Sequence, residues 1–322
     1  PDNGFGLVRD EGNVAAGQGV YYHTAMLNGG ANQLTEMVPP SRIYRELGRF
    51  VKAGATEFFL LNLSDVRPVP MSSDCAMRYA WDAASPPSGS DEEKMTEFIA
   101  DWSQRQFGEA VADEVAAIYT RYLNIPYMRG EDWYTCRGDN HLHWRLRNMK
   151  RTKSMKKARA AIPFVEKHMG YLEELRNSAE KLADRIPAER SSFYTAHVLV
   201  PILIHKHSLE ILGNYSAAMA HRDAAKAELA VKGYDKLIHA MRRGETDKWA
   251  AWYFGECLAG IAYNRGYARL LLAELRGEPA PLVRKYEEYP KIYDYQERFL
   301  ENFPFLYEHT ADEITADSDD GK

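Results

Sequence analysis

Two short apolar segments flank one amphipathic stretch, and no further strand pattern follows them; this order constrains the chain most. Gly19 to Met26 (GVYYHTAM) is β-branched and aromatic and follows a glycine-rich entry, so it predicts a buried strand. A polar loop, 27–40, comes next. Ser41 then reads as the N-cap of a helix reaching about Ala53, because Ile43, Tyr44, Leu47, Phe50 and Val51 recur at the 3.6-residue period. Gly54 ends it. Glu57 to Leu63 (EFFLLNL) predicts a second buried strand. Strand, helix, strand with near-continuous apolar strands is the pattern of a parallel βαβ unit. In such units the working residues gather where the strands end.

From about residue 90 the pattern turns helical. Asp91 opens a helix with Phe98, Trp102 and Phe107 on its apolar side. Gly108 interrupts it, and the pattern resumes through Tyr122. Long helical stretches are predicted over about 155–184, 189–221, 223–242 and 246–276, with breaks at Pro187, Gly233 and Gly277. Pro163 and Pro201 fall inside these patterns and imply a boundary or kink. The second part reads as an all-α helical bundle.

Composition excludes some classes. With 12% aromatic and 45% hydrophobic residues the chain has ample material for a core. No apolar run is long enough to cross a membrane as a helix. Cys75, Cys136 and Cys257 are isolated, so at most one disulfide can form. The net charge is -5, yet residues 145–159 carry eight basic side chains and no acid. This run is read as a solvated face or loop; binding to nucleic acid or a polyanionic glycan is the alternative. The stretch 311–322 is acidic and lacks aromatics, which predicts disorder. The first residue is Pro1, and no leader follows it, so the chain is expected to be a processed or truncated product.

Polar residues cluster after the two strands. His23 closes the first, and its loop holds Asn28, Asn32, Gln33 and Glu36. The second runs into Asn62, Asp65 and Arg67. An arginine fork suits a carboxylate, amides suit sugar hydroxyls, and a glutamate raised in pKa by burial can move a proton. The plainer reading is that loop polar groups cap and turn. His141 and His143 would share one face of a strand and could bind a metal, but no third ligand is near and packing is preferred. His205 and His207 point apart on a helix. Trp249, Trp252, Tyr253 and Phe254 read as core, with sugar stacking or a dimer contact as the alternative. Cys257 reads as a small buried hydrophobe.

The segments DNGFGLVR, GVYYHTAM, GANQLTE, FLLNLSDVRP and MRYAWDA resemble glycoside hydrolase family 115, the xylan α-glucuronidases. TEFIADWSQRQFG, FYTAHVLVP and Asp247-Lys248-Trp249 extend the likeness to about residue 275. The resemblance implies a (β/α)8 barrel followed by a helical domain. Residues 1–85 would be the C-terminal portion of the barrel, 86–285 the helical bundle, and 286–322 a terminal helix or extended segment with the acidic tail. It also implies removal of glucuronic acid, or its 4-O-methyl ether, from xylan side chains by inversion, with two carboxyl groups. By position those would be Glu36 and Asp2. Substrate contacts would come from Tyr22, His23, Asn32, Asn62, Asp65 and Arg67. This chain departs from the family pattern at Asp2-Asn3, in its Asn-Gln-Leu-Thr-Glu loop and at Arg67. Two strands cannot close an eight-stranded barrel, so the chain is expected to need a missing N-terminal part or a complementing chain. The implied partner is glucuronoxylan or a related uronic-acid-bearing glycan, with no cofactor, metal, nucleic acid or membrane. A homodimer and an extracellular or periplasmic location are also implied. A non-catalytic helical interaction or carbohydrate-binding module is the alternative.

Overall fold

A computed structural model describes residues 17–27, 30–31, 34–63, 66–125, 139, 141–246, 249, 252–253, 260–281, 283–284 and 308–309. Asp2, Asn28, Asn32, Gln33, Asp65, Cys136, Phe254, Cys257 and the acidic stretch 311–322 lie outside these residues, as do the side chains of His141 and Trp144.

The βαβ unit forms as expected. Strand β1 (Val20–His23) leads into two short segments, β2 (Met26–Leu27) and β3 (Gly30–Ala31), which pair antiparallel with each other. Helix α1 (Pro40–Lys52) then crosses to β4 (Phe59–Asn62). Strands β1 and β4 pair in parallel, in the register Val20 to Phe59 and His23 to Asn62. Ser41 is not the N-cap. Pro39 holds that position with extended backbone, and Pro40 starts the helix, where its missing N–H costs nothing. Gly54 follows the helix at φ 82°, a conformation that favours glycine. Gly19 is needed for a different reason, since a Cβ there would run into the ring and backbone of Phe58.

Among the described residues, the strands are covered mainly on one side. Val20 and Tyr22 are buried, while Tyr21 is 48% exposed and Phe58 and Leu60 are each 56% exposed. The expected burial of both strands is therefore not met in β4. The described residues show a parallel pair with its helix, and the rest of the fold is mostly helical.

Helix α2 (Pro70–Trp81) goes beyond the sequence pattern. Its buried residues Met71, Cys75, Ala76 and Tyr79 keep a helical spacing, but they follow Arg67-Pro68-Val69-Pro70, which reads as loop. Cys75 is a free, fully buried thiol. Helix α3 (Asp91–Phe107) starts in a capping box of Ser90 and Glu93 and ends at Gly108, φ 92°. Two of its last carbonyls, on Arg105 and Gln106, accept from the Arg190 guanidinium at 3.1 and 2.8 Å. A short 3-10 turn (Glu109–Val111) leads into α4 (Ala112–Leu123).

The remaining helices are α5 (His141–Thr152), α6 (Met155–Ala183), α7 (Ala188–Tyr194), α8 (Val200–His221), α9 (Ala224–Arg243) and α10 (Ile261–Arg276). Residues 195–199, between α7 and α8, form a π-turn. Strands β5 (Val283–Arg284) and β6 (Glu308–His309) pair antiparallel. The predicted helix over 246–276 begins only at Ile261, after Gly260 in the left-handed conformation. Gly233 does not break the chain. It lies inside α9, where a Cβ would stand 2.7 Å from the Ile211 side chain, so glycine lets α8 and α9 approach closely. His141 and His143 sit on a helix, not a strand. The basic run spans the end of α5 and the start of α6, where Arg151, Lys153, Lys156, Lys157 and Arg159 are exposed, as a solvated face requires.

The described residues divide into two compact units. One comprises those up to 140 together with 177–201, and the other those of 141–176 and from 202 onward. In the first, α1 packs against α2 and α3, and Phe107 meets Phe193 and Tyr194 with ring centres 5.8 and 5.7 Å apart. In the second, α9 and α10 pack together, and Lys150 pairs with Glu274. Trp249 and Trp252 are half-buried in edge-to-face contact at 5.2 Å, and Tyr253 is buried. No helix among the described residues is long and apolar enough to cross a membrane.

Candidate functional site

The parallel register sets His23 and Asn62 side by side at the ends of β1 and β4. Alternation along β1 then sorts the side chains by face. Tyr21 and His23 share one face with ring centres 4.5 Å apart, and the Asn62 amide donates to the Tyr21 hydroxyl. Tyr22 points the other way and is buried near Arg42 and Glu46 of α1. The structure thus brings together His23, Asn62 and Tyr21, and Tyr22 lies on the opposite face from them. Burial lowers the His23 pKa, so its ring is neutral at neutral pH and can both donate and accept.

Glu36 is almost fully buried. Its carboxylate accepts from the Ser72 N–H at 2.5 Å and the Ser72 hydroxyl at 2.7 Å. Ser72 is the third residue of α2, so this carboxylate fills the N-terminal capping role from 36 positions earlier in the chain. The Glu36 carbonyl accepts from the Tyr122 hydroxyl at 2.5 Å. Desolvation raises the Glu36 pKa to about 7, and the hydrogen bonds from Ser72 and Met71 oppose that rise.

The approach to Glu36 is also fastened. The Asp139 carboxylate, itself buried, accepts from the N–H groups of Leu34 and Thr35 at 2.8 Å and from the Thr35 hydroxyl at 3.1 Å. Arg67 is buried, and its charge acts on His197. His197 sits in the π-turn, with its ring 4.3 Å from that of Phe193. Burial first, and Arg67 second, push its pKa down to about 3, so it is neutral.

The π-turn has a local cause. Pro201 has no N–H, so the carbonyl four residues earlier, that of His197, gets no bond from it. The Tyr119 hydroxyl approaches that carbonyl at 3.4 Å, and the Val200 N–H reaches back five residues to Thr195. Pro201 is legible in the sequence as a kink. His197, Asp139, Tyr119 and Tyr122 are not legible, because nothing in their local spacing links them to the strand ends.

Three other histidines are accounted for by packing or an ion pair. His143 is fully buried, with Nδ1 3.2 Å from the Tyr234 hydroxyl and Nε2 3.0 Å from the Ser208 hydroxyl. His207 pairs with Glu210 at 3.2 Å, and His205 is buried on α8. Among the described residues no group of three or more His, Cys, Asp or Glu is arranged to hold a metal ion.

The family model described as Glycosyl hydrolase family 115 matches residues 1–132, which include both strand ends, Glu36 and Arg67. A solved structure described as a family GH115 4-O-methyl-α-glucuronidase with specificity for decorated arabinogalactans has a similar fold. The TM-score is 0.52 at 19% identity, and the match covers 72% of this chain. It covers only 30% of the solved chain, so this chain spans less than a third of that protein's length. No curated protein matches the sequence. By sequence over residues 1–132, and by fold over most of its length, this chain is similar to the glycoside hydrolases of family 115.

Proposed function

We propose that the chain is part of a glycoside hydrolase that removes glucuronic acid, or its 4-O-methyl ether, from glycan side chains. The observation that carries this reading is the family 115 match over the residues whose strand ends pair His23 with Asn62. The arrangement fits the chemistry. A neutral His23 and the Asn62 amide can bind sugar hydroxyls, and Arg67 can face a uronate carboxylate. β1, α1 and β4 supply part of a (β/α)8 barrel contained in residues 1–85. Residues 86–285 form the helical bundle and take part in a homodimer, and 286–322 form the terminal segment. A missing N-terminal part or a second chain completes the barrel, and the enzyme works outside the cytoplasm.

Inversion needs one carboxyl group to protonate the leaving oxygen and another to activate water. Glu36 and Asp2 are the proposed pair. A pKa near 7 suits Glu36 for proton transfer at neutral pH. The test is release of glucuronic acid from glucuronoxylan and from decorated arabinogalactan by the polypeptide that carries this chain. Glu36→Gln and Asp2→Asn are each expected to lower kcat by about 10²–10⁴-fold. Arg67→Ala is expected to raise KM for the charged sugar more than it lowers kcat. Unchanged rates in both carboxyl variants overturn the pair; no uronate release from either glycan overturns the reading.

A further inference from the structure

A cavity of about 380 Å³ opens between the first turn of α1, the first turn of α3 and the end of α4, all within the first unit. Its size falls within the roughly 300–1,000 Å³ of small-ligand sites. Neither His23, Asn62, Arg67 nor Glu36 lines it. We propose that it is a second ligand site, which takes a neutral, hydroxyl-rich sugar ring of a glycan.

The walls give the chemistry. Arg42 and Arg45 line it together with Asp91 and Glu92, and Asn124 and Met95 are among the other wall residues. Two cations and two anions leave no net charge to select an ion. A guanidinium donates a fork of N–H bonds and a carboxylate accepts on two oxygens. Adjacent hydroxyls on a pyranose do both, so mixed walls match them better than they match a phosphate or a lone carboxylate. Met95 adds soft apolar surface for the C–H face of a ring.

The site is built rather than incidental. Arg42 is 3% exposed yet lines the cavity, and Tyr22 lies within its electrostatic reach. Two other wall charges are steadied from outside the cavity, Arg45 by Glu46 and Asp91 by Lys94, each at 3.3 Å. In a βαβ unit the helix runs antiparallel to its strands, so the first turn of α1 lies toward the end where β1 and β4 stop. The cavity and the strand ends therefore lie toward the same end of the unit. The inference rests on the hydrolase reading only in taking a glycan as the ligand.

Calorimetric titration of the polypeptide that carries this chain tests it with three probes: xylohexaose, methyl α-glucuronide and glutamine as a zwitterion. Xylohexaose is expected to bind. Met95→Trp, which crowds the cavity, and Glu92→Gln, which removes an ionic acceptor, should each weaken it at least about tenfold. Both should leave glucuronide binding and the melting temperature unchanged, and Arg67→Lys, which keeps the buried charge but loses the guanidinium fork, should weaken glucuronide binding and spare xylohexaose binding. These rim positions carry the test because loss of buried Arg42 threatens folding. No xylohexaose binding, binding that Met95→Trp leaves intact, or glutamine binding in its place overturns the second site. Xylohexaose binding that responds to Met95→Trp, without glucuronide binding, upholds the cavity and overturns the strand-end reading.

Discussion

His143 in the second unit and Glu36 in the first are both buried ionisable groups, but their surroundings differ in kind. His143 sits within a helix, and both ring nitrogens meet hydroxyls of neighbouring helices, at 3.2 and 3.0 Å. It behaves as a polar core residue. Glu36 sits between elements and holds the start of a helix, and its pKa is raised to about 7. His197 also lies at an irregular turn, and its pKa is driven the opposite way, to about 3. In the first unit, Glu36 and His197 carry opposite shifts, and both lie where regular structure gives way, a setting in which sites are often found.

Glu36 should show itself through pH, with the largest effect. Its folded pKa is raised, so its stabilising contribution is complete below about 4.5 and is lost as pH rises through about 7. The swing is about 3 kcal/mol. Glu36→Gln should abolish it, so urea-denaturation stabilities of the two proteins should diverge between about pH 4.5 and 7. Parallel profiles would leave Glu36 no different from an ordinary surface acid.

The contrast also breaks if His143 proves dispensable. His143→Ala should destabilise the second unit by about 3 kcal/mol, because it opens a cavity and takes a hydrogen-bond partner from each of two buried hydroxyls. The same denaturation experiment measures this, and a loss under about 1 kcal/mol would remove His143 from the core.

His197 should act with the opposite sign to Glu36. Its folded pKa is depressed, so its contribution is present above about 6.5 and falls away as pH drops toward 3. At a pH of about 5 the loss is about 2 kcal/mol, and His197→Gln should recover it. Equal slopes in the Glu36 and His197 variants would sink the assignment of opposed shifts. The smallest effect is expected from Tyr119→Phe, which removes the hydroxyl facing the His197 carbonyl and should cost about 1 kcal/mol in the same assay.

Local pattern carries the βαβ order, because alternation and the 3.6-residue period are properties of neighbouring residues. It carries α3 as well, where Phe98, Trp102 and Phe107 mark the buried side. It fails at α5. There the buried stripe of Leu142, His143, Leu146 and Met149 is broken by a histidine that counts as polar and is crowded by basic residues. Gly233 misleads for a similar reason, since its role is set by Ile211 on another helix. At the candidate site, His23 and Asn62 are legible as strand ends. Their match in register, the Ser72 bond to Glu36 and the Asp139 clamp are not, because each joins residues more than about 30 positions apart, beyond the reach of any local period.

The bond between Glu36 and Ser72 has a consequence for encounter with a ligand. Residues 34–39 lead into α1, and residues 66–69 lead from the end of β4 toward α2. One carboxylate fastens the two approaches together. Their conformational freedom is therefore surrendered during folding and not when a ligand arrives. A molecule that reaches residues 34–39 or 66–69 meets segments already fastened, and its residence time there reflects the contacts it makes rather than the ordering it must impose.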